Sequence, residues 1–355
     1  MSRVHRHGAI FCRRGMMQLA AGVAGVASCM IGQGVFLWRR APDSKAPKPL
    51  SQGSVKLPKD TESKVKDWQS MTAADVTRMG VPLESAESVM ALAEMLQVKG
   101  FEPLSDPITL LRFLNARGGD LEATADMYRE VIEWRASYSI KELMDARGSG
   151  EEYKQDGSRK SKDWTTWSWR PDALDGKVEK SARHVQFLRL SSTSEDGEPI
   201  LLWRINADDF GTFEMEDLRE TLINEYVSHV EDALQSMRAA SFRERRLVRA
   251  RFIIDVQTLT LNSARYMPVL RAATELGQTY FPEVAASVTV VRAPAVAAYL
   301  YKLIQLFLPA RMQQKMCILG QRFDAGLAEH AKIKVPKIAE DLAGDPSDTA
   351  TGSKE

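Results

Sequence analysis

Cysteine is scarce: Cys12, Cys29 and Cys317 are the only three in 355 residues. Thiols so few and so scattered give no disulfide framework and no thiolate metal centre, and they suit a reducing compartment. Histidine is nearly as rare. His5, His7, His184, His229 and His330 show no paired ligand spacing. No His-Glu-x-x-His pattern occurs, and no glycine-rich loop closes on Gly-Lys-Ser or Gly-Lys-Thr. Metal-assisted hydrolysis and nucleotide-phosphate chemistry find no support, so no metal and no organic cofactor is expected. An excess of one charge is missing too. The 48 Lys and Arg face 47 Asp and Glu, which gives no reason to expect a nucleic-acid partner. No internal repeat is evident. What remains is an ordinary globular composition, 44% hydrophobic and 27% charged, able to bury a core in about two structural units.

The balanced charge conceals a split. Residues 1–60 hold ten Lys and Arg against Asp43 and Asp60, a surplus of eight, and the remainder carries a deficit of seven. Within the basic head, Met16 to Trp38 are 23 residues without a charge, between Arg13-Arg14 and Arg39-Arg40. As a helix they would rise about 35 Å, against a bilayer core of about 30 Å. Only seven of them are Leu, Ile, Val or Phe, so insertion is marginal. Three readings stand: a single membrane span, a cleaved organelle presequence and a secretory signal. The expectation adopted is an anchor over residues 1–40. It holds the body on a membrane and facing the cytosol, in the manner of mitochondrial outer-membrane signal anchors. The alternative is cleavage inside an organelle. Residues 41–66, rich in Pro, Ser and Lys, read as a flexible linker, and 344–355 as a disordered tail.

The body opens with helices. Thr72, Asp75, Asp106 and Asp120 are N-cap residues in waiting, the third followed by Pro107. Val89, Leu92, Met95 and Leu96, and then Leu121, Ala125, Tyr128 and Ile132, recur at helical spacing. Between 148 and 177 the chain is polar, yet carries Trp164, Trp167 and Trp169; they either cover the core edge or touch a membrane interface. After that the texture changes. Val185–Leu190, Ile200–Asn206, Leu247–Asp255, Ser287–Val291 and Met316–Leu319 read as strands, the first two joined at Asp196-Gly197. Helices over 213–241, 263–278 and 294–307 separate the later ones. Alternation of that kind predicts an α/β fold: a helical lead over 67–147, then a largely parallel sheet flanked by helices over 148–343.

Several motifs then agree in order with one family. Leu110-Leu111-Arg112-Phe113-Leu114-Asn115-Ala116-Arg117, followed by Asp120 and Glu133-Trp134-Arg135, resembles the helical lead of CRAL-TRIO proteins. Tyr280-Phe281-Pro282-Glu283, Val291-Arg292-Ala293-Pro294, Phe307-Leu308-Pro309 and Lys315-Met316-Cys317-Ile318-Leu319-Gly320 resemble its second half. The resemblance covers roughly 70–343 and implies the CRAL-TRIO fold, in which a mobile gate helix closes one lipid into a pocket floored by the sheet. The helix after Pro294 suits a gate. It is apolar on nearly every face except at Lys302 and Gln305, and a helix of that kind is buried or faces lipid. Val296, Tyr299, Leu300, Leu303, Ile304 and Phe307 are its candidate pocket residues.

The resemblance extends to the phosphatidylinositol transfer proteins and implies a headgroup site at Arg117, Glu283 and Lys315. Two of that signature's positions differ, being Val284 and Met312. The small hydroxyl residues tied to phosphatidylcholine are Ala250 and Phe252 here, which does not support that lipid. The family's phosphatase-linked members carry a Cys with Arg six residues on; Cys317 has Arg322 five on, so that chemistry is not expected. No catalytic residue is assigned, and Asp255 is read as structural. The expectation is a non-enzymatic carrier of one phospholipid, phosphatidylinositol above others, exchanging it with a membrane surface. A membrane-tethered protein scaffold of the same fold, or a carrier of a different apolar ligand, is the alternative.

Overall fold

The computed structural model describes residues 68, 71–101, 106–147, 174, 177–206 and 215–343. The expected anchor, linker and tail, and Trp164, Trp167 and Trp169, lie outside the described residues.

The lead consists of helices Ala73–Arg78, Leu83–Val98, Pro107–Ala116, Leu121–Ser137 and Ile140–Ala146. Thr72, Asp106 and Asp120 act as N-caps as read, whereas Asp75 lies inside the first helix as the partner of Thr72. Asp75 N donates to Thr72 Oγ1 at 3.2 Å and Thr72 N donates back to Asp75 Oδ2 at 3.1 Å, a reciprocal capping box. Asp106 accepts from Thr109 N at 2.6 Å, and Asp120 from Ala123 N at 3.0 Å. The apolar stripes then meet. Val89, Leu92, Leu96, Leu110, Leu111, Phe113, Ala125 and Tyr128 form one buried cluster, with the Phe113 and Tyr128 rings edge to face at 5.3 Å.

Five strands follow: β1 (Val185–Thr193), β2 (Pro199–Ile205), β3 (Ala250–Asp255), β4 (Ala285–Val291) and β5 (Met316–Ile318). They lie in the order β1-β2-β3-β4-β5. β1 and β2 form an antiparallel hairpin, turned at Gly197 with φ of 74°; every later pairing is parallel. The mixed sheet therefore agrees with the expected largely parallel one. Helices Met215–Glu244, Met267–Tyr280 and Val296–Gln305 make the three crossovers. Right-handed crossovers stepping in one direction place their helices on one face. On that face Leu201, Phe252 and Val288 pack with Val227, Val230 and Ala273. On the other, Leu188, Ile200, Leu202, Ile253 and Val291 pack with Leu327, Ala331, Ile338 and Leu342. Residues one apart on a strand go to opposite clusters, as the pleat requires.

The helix expected over 263–278 divides in two. A 3-10 turn, Leu261–Tyr266, runs into the α-helix Met267–Tyr280. Thr260 and Ser263 cap the turn reciprocally, and Pro268 sits in the first turn of the following helix, where its missing N–H costs nothing.

The expected membrane anchor is corrected. Among the described residues no helix is long and apolar enough to cross a membrane, and the segment 16–38 is not among them.

Candidate functional site

Because β3, β4 and β5 are parallel neighbours, the residues just ahead of them converge. Arg249 precedes β3, Glu283 stands two before β4, and Lys315 directly precedes β5. Backbone bonds fix the convergence: Ala250 N donates to Val284 O, and Val288 N to Lys315 O, both at 2.8 Å. Glu283 follows Pro282 and adopts φ of 51°, a left-handed conformation unusual for a residue with a side chain.

The Glu283 carboxylate, 5% exposed, collects three cations. Arg311 contacts Oε1 at 2.9 Å, while Arg249 and Lys315 contact Oε2 at 3.1 and 3.5 Å. Lys315 also donates to Ala285 O at 2.9 Å. Arg311 reaches the helical lead as well, donating to Asn115 O at 2.7 Å. Beneath these, the buried Arg112 guanidinium donates to Glu283 O at 2.9 Å and to Val248 O. Burial pushes Arg112 down to about 10, with Arg249 adding to the shift and Asp106 and Glu283 opposing it. Burial also lowers Lys315; Glu283 opposes that shift, and Arg249 and Arg311 add to it.

Of the three headgroup candidates, the structure brings Glu283 and Lys315 together. Arg117 is exposed at the C-cap of the helix Pro107–Ala116, two residues from the carbonyl that Arg311 holds. The positions that depart from the signature are apolar in fact: Val284 is buried in the main core and Met312 packs against it. Sequence reasoning missed Arg112, Arg249 and Arg311. Arg112 had a signal, as the single charge within Leu110–Leu114. Arg249 and Arg311 had none, since their partner is remote in the chain.

The helix Val296–Gln305 follows β4 in the chain and precedes the segment that carries Arg311 and Lys315. Ala297, Leu300 and Tyr301 are buried, Val296, Leu303, Ile304 and Phe307 half-buried, and Tyr299 exposed. Leu306, just past its end, is 84% exposed. Among the described residues none of these side chains belongs to the packed clusters of the core. The helix packs against the 3-10 turn Leu261–Tyr266 instead. At its leading end Asp255 accepts both arms of Arg292, one of them Nε at 2.9 Å. Asp255 is thus a structural partner, as read.

Residues 187–338 match the family model of the CRAL/TRIO domain. The chain carries a CRAL-TRIO domain. Its relatives agree. A "SEC14 cytosolic factor" of Kluyveromyces lactis is 24% identical over 250 residues, covering 69% of this chain and 73% of that protein. A CRAL-TRIO domain-containing protein of Saccharomyces cerevisiae is 23% identical over 253 residues, covering 71% and 75%. A "phosphatidylinositol/phosphatidylcholine transfer protein" of Arabidopsis thaliana is 25% identical over 253 residues, covering 68% and 59%. The match begins at β1, so the helical lead is outside the family model, although the relatives' alignments are longer than the domain. The name "cytosolic factor" stands against the expected localisation, a body held by a single N-terminal span. Among the described residues no group of three or more His, Cys, Asp or Glu could hold a metal ion.

Proposed function

We propose that this CRAL-TRIO chain binds one phospholipid, phosphatidylinositol above others, and exchanges it with membranes. The headgroup would sit at Arg117, Glu283 and Lys315, with the acyl chains under the helix Val296–Gln305. The observation that carries this is the Glu283 cluster: one buried carboxylate ringed by cations, at the sheet end where Met312 and Met316 begin the apolar core. Guanidinium and ammonium groups suit a phosphate, and a carboxylate accepts from inositol hydroxyls. The apolar helix supports a gate, since Val296, Leu303, Ile304 and Phe307 are half-buried and Tyr299 and Leu306 exposed, a face that can cover acyl chains or meet a bilayer. The helical lead and the sheet, over 67–147 and 148–343, act as one body, because Arg112 and Arg311 tie them together at the site. Ala250 and Phe252 supply no hydroxyl, which disfavours phosphatidylcholine. The relatives' names, a cytosolic factor and a phospholipid transfer protein, accord with this reading.

The test is transfer of labelled phosphatidylinositol between vesicle populations by the full chain. Transfer by the native chain that falls about tenfold or more in Lys315→Ala, the loss of one charged hydrogen bond, supports the assignment. Transfer unchanged in both Lys315→Ala and Glu283→Ala contradicts the headgroup site. No uptake by the native chain contradicts the carrier reading and leaves the scaffold alternative.

A further inference from the structure

The Glu283 cluster is unbalanced. Arg249, Arg311 and Lys315 contact its side chain, and Arg112 contacts its backbone oxygen. The second acid near Arg112 is Asp106, and that carboxylate is engaged by Arg238 at 2.6 Å. Four cations thus gather about one available carboxylate. Like charges crowded into a partly desolvated site repel one another, and an added anion relieves that repulsion. The lowering of Lys315, to which Arg249 and Arg311 contribute, is the same effect seen from one member.

The cations are also graded in depth. The Arg311 side chain is 51% exposed and that of Arg249 36%, whereas Lys315 is 18% exposed. Two guanidinium groups therefore stand at the solvent mouth, outside the lysine. Arg249 Nε is a buried donor with no hydrogen-bond partner among the described residues. Its Nη1 is held by Glu283 Oε2, and Arg311 divides its contacts between Glu283 Oε1 and Asn115 O. A phosphodiester brings one negative charge to such a place. A phosphomonoester brings about −1.5 to −2 and three acceptor oxygens, enough to occupy both forks while Glu283 keeps Lys315.

We infer that Arg249 and Arg311 form an outer phosphomonoester site, which makes this chain prefer an inositol lipid phosphorylated on its ring over phosphatidylinositol itself. The inference rests on the phospholipid reading above and adds the charge class of the headgroup. Arg249 and Arg311 are then specificity-determining residues. Lys315 and Glu283 serve the part of the headgroup that both lipids share. A soluble inositol phosphate offers the same group without the acyl chains.

The experiment uses the full chain and phosphatidylcholine vesicles containing equal amounts of phosphatidylinositol and phosphatidylinositol monophosphate. The protein is recovered and its bound lipid identified by mass spectrometry. The expected result is a preference for the monophosphate of about tenfold, which corresponds to about 1.4 kcal/mol. Arg311→Met and Arg249→Met should each lower uptake of the monophosphate more than that of phosphatidylinositol, and Arg311→Lys should restore part of the preference. Circular dichroism of each variant separates this from unfolding. Soluble inositol trisphosphate added in competition separates the sources. Displacement of the lipid monophosphate by it shows that the phosphomonoester alone is recognised; failure to displace shows that the acyl chains are needed as well. Equal uptake of the two lipids by the native chain overturns the inference and leaves the phosphatidylinositol reading standing. Uptake of neither lipid overturns both.

Discussion

Arg112 donates to the backbone oxygen of Glu283 at 2.9 Å, across 171 residues of sequence. One guanidinium thereby joins the helical lead to the residue whose side chain gathers Arg249, Arg311 and Lys315. The same group holds Val248 O, next to Arg249. Helix, sheet and site share a single buried fastening.

That fastening should be costly to remove. Arg112→Met leaves Glu283 O and Val248 O without their donor in a buried place. A hydrogen bond to a charged group is worth about 1.5–3 kcal/mol, so the loss should reach about 3 kcal/mol or more. Chemical denaturation of the native chain and the variant measures it. A change below about 1 kcal/mol would mean that the lead is held by its apolar contacts and its other polar ties, Arg311 to Asn115 O and Arg238 to Asp106 among them.

A second expectation concerns pH. Glu225 is buried in the helix Met215–Glu244 and accepts from Ser181 Oγ at 2.5 Å. Burial pushes its carboxyl up from 4.5 to about 8, opposed by the Ser181 bond and by Arg147. The folded chain therefore keeps a proton that the unfolded chain releases near 4.5. The stabilisation is fully present below that value and is lost as pH rises towards about 8. His229, in the same helix, is lowered by burial and by Arg147 and Arg189, so it acts in the opposite sense at acid pH. The comparison that isolates Glu225 is native against Glu225→Gln, an uncharged near-isostere. The variant should gain stability relative to the native chain between about pH 5 and about pH 8. A constant difference across that range would contradict the shift.

Close packing gives a third. A Cβ added at Gly277 would lie 2.4 Å from the Tyr226 hydroxyl oxygen, and Tyr226 is buried in the main core. Gly277→Ala should destabilise by about 1–3 kcal/mol through overpacking. Combined with Tyr226→Phe, which removes that oxygen, the loss should be smaller than the sum of the two single changes. Additive losses in thermal unfolding would show that the two positions do not touch in solution.

The gate reading separates stability from uptake. Leu306 is 84% exposed at the end of the helix Val296–Gln305. Leu306→Glu should leave stability within about 0.5 kcal/mol of native, yet slow lipid uptake from neutral vesicles, because a carboxylate opposes contact with the bilayer. Equal initial uptake rates for the two chains would argue that this end of the helix does not meet the membrane.

Much of the fold was legible because its signals are local. The caps Thr72, Asp106 and Asp120 announce their helices before any tertiary contact exists, and the apolar run Phe252-Ile253-Ile254 fits a strand covered on both faces. The break at residues 266–267 was not foreseen, because a reciprocal Thr260–Ser263 cap and Pro268 favour a tight turn inside an otherwise helical pattern. At the site, Glu283 and Lys315 were marked by the motifs around them. Arg249 and Arg311 carry no such mark. They become site residues only when parallel strands bring position 249 beside 283, and when the short helix Ala310–Gln314 after Pro309 brings 311 back to both 283 and 115.

Native mass spectrometry of the full chain, purified without detergent and then incubated with vesicles containing phosphatidylinositol, tests the central claim most directly. The account predicts one phospholipid per chain, of the inositol class, lost or reduced in Lys315→Ala. A folded chain that stays free of lipid after that incubation would contradict it.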